Sequence, residues 1–152
     1  MSATHVRAQR ELHIAAPAGI VLRMFTPRGE ELWIDAWRPR YIHPPDGNTI
    51  RGMVFVTGDD AEQTIWQVLE FDEMRLRAVY ARTTPGLRVG TVTVEVEERP
   101  GGASRVCVRY DMTALVDEPV LEPYRSPEFD RMIEGWGTAI NERLPMLIEA
   151  LG

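Results

Sequence analysis

Four aromatic side chains and one arginine are the residues best suited to hold and orient a small molecule. Trp66, Tyr80 and Tyr110 fall in the middle of extended segments, and Trp136 in the middle of a helical one. If their faces agree, they wall a space between a sheet and a helix; otherwise they are plain core. A tyrosine hydroxyl buried there needs a partner, and a ligand atom can be one. Arg82 follows Tyr80 on the same strand face. It can reach a carboxylate or an enolate, unless it is an exposed arginine at a strand end. Met132 and Ile140 share a helical stripe with Trp136 and complete the set of cavity candidates.

Acid–base chemistry has weaker candidates. Glu95 and Asp111 are the carboxylates placed mid-sheet, but alternation puts both on polar faces. Turned into a cavity, either would have its pKa raised by desolvation, as a general acid or base requires. Asp117, Glu118 and Glu122 lie on a loop before the last helix and form a solvated rim or the mouth of a cavity. His5, His13 and His43 are far apart, at the terminus, on the polar face of the first strand and at a Pro-Pro turn. They give no metal-ligand spacing, so no metal or other cofactor is expected. Cys107 is the one cysteine, expected as a buried, inert thiol. No phosphate-binding loop or dinucleotide fingerprint is present.

The elements that would position these residues follow from periodicity. A first strand runs over Arg7–Ile14, with Arg10, Leu12 and Ile14 on one face and Glu11 and His13 on the other. Ile20, Val21, Met24 and Phe25 share the face of a short helix. Pro27-Arg28-Gly29 interrupts, and Glu30–Ile34 reads as a second short helix carrying Leu32 and Trp33. Six strands follow: Arg40–His43, Arg51–Thr57, Gln63–Phe71, Leu76–Arg82, Val89–Glu98 and Ser104–Leu115. Turn chemistry separates them, and Pro85-Gly86 fits the centre of a type II turn. Such short connections make neighbours antiparallel, because a parallel crossover needs a dozen or more residues. Val92, Val94 and Val96 oppose Thr91, Thr93, Glu95 and Glu97, the pattern of a sheet covered on one side.

The cover is a helix over Ser126–Leu151, with Ser126 as cap and Pro127 at the first position. Phe129, Met132, Ile133, Trp136, Ile140, Leu144, Leu147, Ile148 and Leu151 form its apolar stripe. At 1.5 Å per residue it spans roughly 37 Å. Gly135 and Gly137 flank Trp136, and Pro145 should kink the helix near Asn141. The glycines permit close packing on the sheet or leave room for a ligand.

Bulk properties narrow the class. The chain has 152 residues, 44% hydrophobic and 26% charged, the profile of one soluble globular domain over residues 1–152. A net charge of −6 argues against a nucleic-acid partner. No apolar run approaches the ~20 residues of a membrane span, and no signal peptide is evident. A cytoplasmic location is expected.

One strand, two short helices, six meander strands and a closing helix is the order of the helix-grip fold. The chain resembles the START-like, or SRPBCC, superfamily, which includes polyketide cyclases and dehydratases, lipid-transfer domains, plant hormone-binding proteins and ATPase activators. Phe25–Glu30, Leu32-Trp33, Trp37-Arg38-Pro39, Pro85–Val94 and Phe129–Trp136 carry the likeness. They are closer to bacterial members without an assigned activity than to the enzymes. The resemblance implies an α+β fold in which a seven-stranded antiparallel sheet (β-α-α-β6-α) wraps a long C-terminal helix. It also implies a deep, mostly apolar cavity between the two.

Three functions are compatible with this reading. The first is a binding or carrier protein for a small hydrophobic or amphipathic ligand, lipids included. The second is a cyclase-, dehydratase- or hydrolase-like enzyme using Tyr80, Arg82, Tyr110 and an acid in the same cavity. The third is a protein-interaction module, which needs an exposed apolar patch. An edge strand at either end of the meander can also pair with a second copy as a homodimer.

Overall fold

In the computed structural model, which describes residues 4–152, alternating side chains lay out one continuous antiparallel sheet. Its strands are β1 (His5–Ile14), β2 (Arg40–His43), β3 (Val54–Gly58), β4 (Gln63–Asp72), β5 (Arg77–Thr84), β6 (Arg88–Arg99) and β7 (Ala103–Ala114). Their spatial order is β1-β7-β6-β5-β4-β3-β2. The meander is as expected, and the first strand returns to pair with the last, Leu12 opposite Val106. His5 therefore does not fray: it opens β1, and its ring bonds Thr113 Oγ1 and contacts Asp111.

The covered face holds Leu12, Ile14, Phe55, Val68, Val94, Val106, Val108 and Met112, all buried. The other face is a lattice of ion pairs. Glu95 sits between Arg77 at 3.0 Å and Arg109 at 3.2 Å, and Asp111 pairs with Arg7. Arg105 bridges Glu11 and Glu97. Neither Glu95 nor Asp111 turns inward. Cys107 is half-buried on this same face, not fully buried as expected, and desolvation raises its thiol pKa.

Two helical details depart from the sequence reading. The first is α2, which covers Pro27–Glu30, so the Pro-Arg-Gly stretch begins this helix and does not interrupt it. Thr26 explains the start: its Oγ1 accepts from the Gly29 backbone N–H at 3.0 Å, and Pro27 takes the first helical position. Hydrogen-bonded turns continue to Ile34, whose N–H donates to the Glu30 carbonyl. The preceding helix, α1 (Ala18–Met24), packs on β6 and β7.

The second is the cover. It is not one helix but two, α3 (Glu128–Glu142) and α4 (Leu144–Leu151). The break falls at Arg143, with φ −117° and ψ 13°, two residues before Pro145. Pro145 sits in the first turn of α4, where its missing N–H costs no helical bond. Ser126 is not the cap either. Its hydroxyl donates to Asp130 Oδ1 at 3.1 Å, and the Arg125 carbonyl already accepts from Phe129 N–H. The helix α3 lies along β1, while α4 lies against α1. Gly137 is the point of close approach: a Cβ there would lie 3.2 Å from Leu12 Cδ2, whereas Gly135 faces open space.

Candidate functional site

Because α3 runs over β1, the middle of the sheet is left partly uncovered. The gap is closed by the α1–α2 junction and the segment after it. Between these and the strands lies a cavity of about 270 Å³. Its wall includes Phe25, Pro27, Glu30, Ile34 and Trp37 on the helical side. Phe55, Thr57, Trp66, Tyr80, Arg82, Val92, Val94 and Tyr110 contribute from β3 to β7, and Trp136 from α3.

Five of the seven expected cavity residues are on this wall: Trp66, Tyr80, Arg82, Tyr110 and Trp136. Met132 and Ile140 are not. Ile140 has no accessible surface at all, so it belongs to the packed core. Met132 packs partly buried against that core, one helical turn before Trp136. The long indole of Trp136 spans from α3 to Phe25 and Trp33, with ring centroids 6.2 Å and 5.9 Å away. Its ring partners are thus on the helical side, although it shares the cavity with Tyr80 and Tyr110.

The aromatic wall is fixed by its own hydrogen bonds. Trp66 stacks on Phe55 at 5.6 Å and donates Nε1–H to Thr57 Oγ1. Trp37 packs edge-on to both rings and donates to the Pro27 carbonyl. The Tyr80 hydroxyl donates to the Phe25 carbonyl at 2.7 Å, tying β5 to the end of α1. Tyr110 stacks on Tyr124 at 5.4 Å and meets Phe129 edge-on.

Two charged residue types enter this apolar space. The guanidinium of Arg82 lies over the Trp66 ring at 4.7 Å and near the Tyr124 ring at 5.6 Å. Its Nε is buried and has no hydrogen-bond partner among the described residues. No carboxylate comes within ion-pair distance of it among those residues, while most other strand arginines are paired. Burial pushes the Tyr110 hydroxyl pKa up, and the neighbouring Arg82 charge opposes that shift.

Glu30 is the second, and it escaped the sequence reading. Burial raises its carboxyl well above the usual carboxylate range. It keeps some accessible surface, as a residue on a cavity wall does. Burial also raises Tyr80, with a smaller push from Glu30. A signal did exist. Once a helix is started at Pro27, Glu30 falls on the face of Pro27 and Ile34, an acid on an apolar side. Starting the helix at Glu30 hid that phase. The three histidines stay outside the cavity, and no cluster of metal-ligating side chains occurs among the described residues. Among the described residues, no helix is long and apolar enough to cross a membrane.

No family model matches the chain, and no curated protein sequence matches it. Solved structures do. Norcoclaurine synthase from Thalictrum flavum superposes with a TM-score of 0.64 at 13% identity, over 91% of this chain and 87% of that one. Major latex-like protein 151 from Panax ginseng gives 0.66 at 12% identity, over 93% and 98%. A hypothetical protein from Helicobacter pylori gives 0.69 at 12% identity, over 97% and 88%. At such low identity these similarities concern the path of the backbone. The seven-stranded sheet, the paired short helices and the C-terminal helical cover make this chain a helix-grip protein, with the fold of the START-like superfamily.

Proposed function

We propose that this protein binds or carries a small hydrophobic or amphipathic molecule in the cavity between the sheet and the helical cover. The observation that carries the reading is an aromatic-walled void of about 270 Å³ in an otherwise packed core. Interiors of this size ordinarily fill such spaces with side chains. Ligand sites are typically apolar with a few placed polar groups, which describes this wall. The volume lies just below the usual range for ligand pockets, so a compact ligand of one or two rings fits better than a long acyl chain. One neighbour in fold, a norcoclaurine synthase point mutant, is in complex with a transition-state analogue. Native mass spectrometry of the protein purified from its own host tests the proposal. A stoichiometric small molecule supports it; a bare chain that also binds no apolar probe in titration sinks it.

Glu30 favours a second reading, an enzyme of the cyclase, dehydratase or hydrolase kind. A carboxyl whose pKa is raised by burial is suited to donate a proton to a bound substrate. Tyr80, hydrogen-bonded to the Phe25 carbonyl, and Arg82 would orient the substrate. Incubating the recovered ligand with protein separates the readings. Chemical change by the native chain but not by Glu30→Gln indicates catalysis, and an unchanged ligand indicates a carrier.

A further inference from the structure

The charge inside the cavity has a sign that selects among apolar ligands. Four titratable side chains line it: Glu30, Tyr80, Arg82 and Tyr110. Burial raises the pKa of both tyrosines and of Glu30 and so favours the neutral form of each. Arg82 stays charged, because a guanidinium does not lose its proton in a protein. The wall therefore presents one guanidinium with no carboxylate within ion-pair distance of it among the described residues.

The surroundings of Arg82 do not discharge it. Trp66 and Tyr124 present ring faces, and Tyr110 offers a hydroxyl as hydrogen-bond partner, but none of the three carries a negative charge to balance the guanidinium. Nε is buried without an acceptor, and no carboxylate is within ion-pair reach among the described residues. Arg88 also has a buried, unpartnered Nε, but its guanidinium is neutralised by Glu62. Arg82 stands opposite Gly90 on the adjoining strand β6, a residue with no side chain to offer it a partner. A buried donor left unpaired is costly, and an uncompensated buried charge more so. A planar anion is the partner that satisfies both, since the guanidinium fork matches a carboxylate.

We infer that the cavity selects a monoanionic aromatic or alicyclic carboxylic acid, its carboxylate on Arg82 and its apolar body among Trp37, Phe55, Trp66 and Trp136. This rests on the ligand-binding reading above and names the chemical class it takes. A dianion would leave one charge unmatched, and a cation would face Arg82 directly. Size agrees with a small acid, since 270 Å³ equals the liquid volume of roughly nine waters at about 30 Å³ each.

Isothermal titration with a matched pair of probes, naphthoate and neutral naphthalenemethanol, tests the inference. The native chain should bind the anion about tenfold or more tightly, the size of one charge-assisted hydrogen-bonded contact. In Arg82→Gln that preference should fall to near one while the neutral probe still binds, which also reports that the variant is folded. Arg82→Lys should keep part of the preference. Equal affinity of the native chain for both probes would overturn the carboxylate inference and leave the binding reading standing. A preference that survives in Arg82→Gln would overturn it as well. If the native chain binds neither probe, both readings fall together.

Discussion

Glu30 and Tyr80 share the cavity wall, and burial raises the pKa of both. Burial removes water from the charged form of Glu30 and so raises its pKa well above the usual carboxylate range. Well below the unfolded pKa both folded and unfolded chains carry its proton, so it has no effect on stability. As pH rises past the unfolded value of about 4.3, the unfolded chain releases the proton and the folded chain keeps it. Stability contributed by this site therefore falls between that value and the raised folded pKa. Glu30→Gln removes the loss. Its melting temperature should exceed that of the native chain by a few degrees at pH 7, about 1 kcal/mol corresponding to roughly 2–4 °C at this length. At about pH 3 the two should coincide, and an equal difference at both pH values would mean that folding does not raise the Glu30 pKa. Tyr80 has a mechanical role besides, since its hydroxyl is the donor to the Phe25 carbonyl. Tyr80→Phe should cost about 1–2 kcal/mol in urea unfolding, because a buried acceptor loses its partner.

At the scale of elements, two short features decide where the cavity lies. Thr26 and Pro27 start α2 early and so turn Glu30 inward. Gly90 lets β6 pass between β5 and β7 at a point of tight approach. A Cβ there would come within 2.1 Å of the Asp111 carbonyl oxygen, which is backbone and cannot yield as a side chain could. Glycines at such places allow a sheet to bend around its cover. Gly90→Ala should therefore destabilise by roughly 2 kcal/mol or more, measured by chemical denaturation. Gly137→Ala meets only the flexible end of Leu12, so it should be far milder. The two-helix cover adds a further consequence. The break at Arg143 lets α3 follow β1 while α4 turns onto α1, so Trp136 is the residue of this two-helix cover that lines the cavity.

For the whole molecule, the cavity separates stability from function. Filling it should not weaken the fold as overpacking a dense core does. Val94→Phe places a ring into the void from β6. Probe binding should fall at least tenfold while the melting temperature stays within a few degrees of the native value. A variant that unfolds instead would indicate that the void is smaller than 270 Å³ suggests. The ion-pair lattice on the outer face should matter less. Exposed pairs contribute on the order of 0–1 kcal/mol each and weaken with salt.

The sheet was legible in the amino-acid sequence to within a few residues at each strand end. Period-two alternation and Pro/Gly turns are local signals, and antiparallel neighbours with short turns leave little topological choice. Those signals also put Tyr110 on the apolar face and Glu95 and Asp111 on polar ones, but left open whether Trp66, Tyr80 and Arg82 face inward. The helical cover was legible as apolar periodicity, but not as two helices, because the hydrophobic stripe continues through Arg143 while the backbone does not. Only the tertiary structure decided which inner-face residues meet a void and which meet packing, as with Trp136 against Ile140. That depends on the angle at which α3 crosses the sheet, which no local pattern encodes. Glu30 is the plainest case: its sequence neighbourhood reads as an ordinary helical turn. Burial among groups distant in the chain is what gives it a proton to hold.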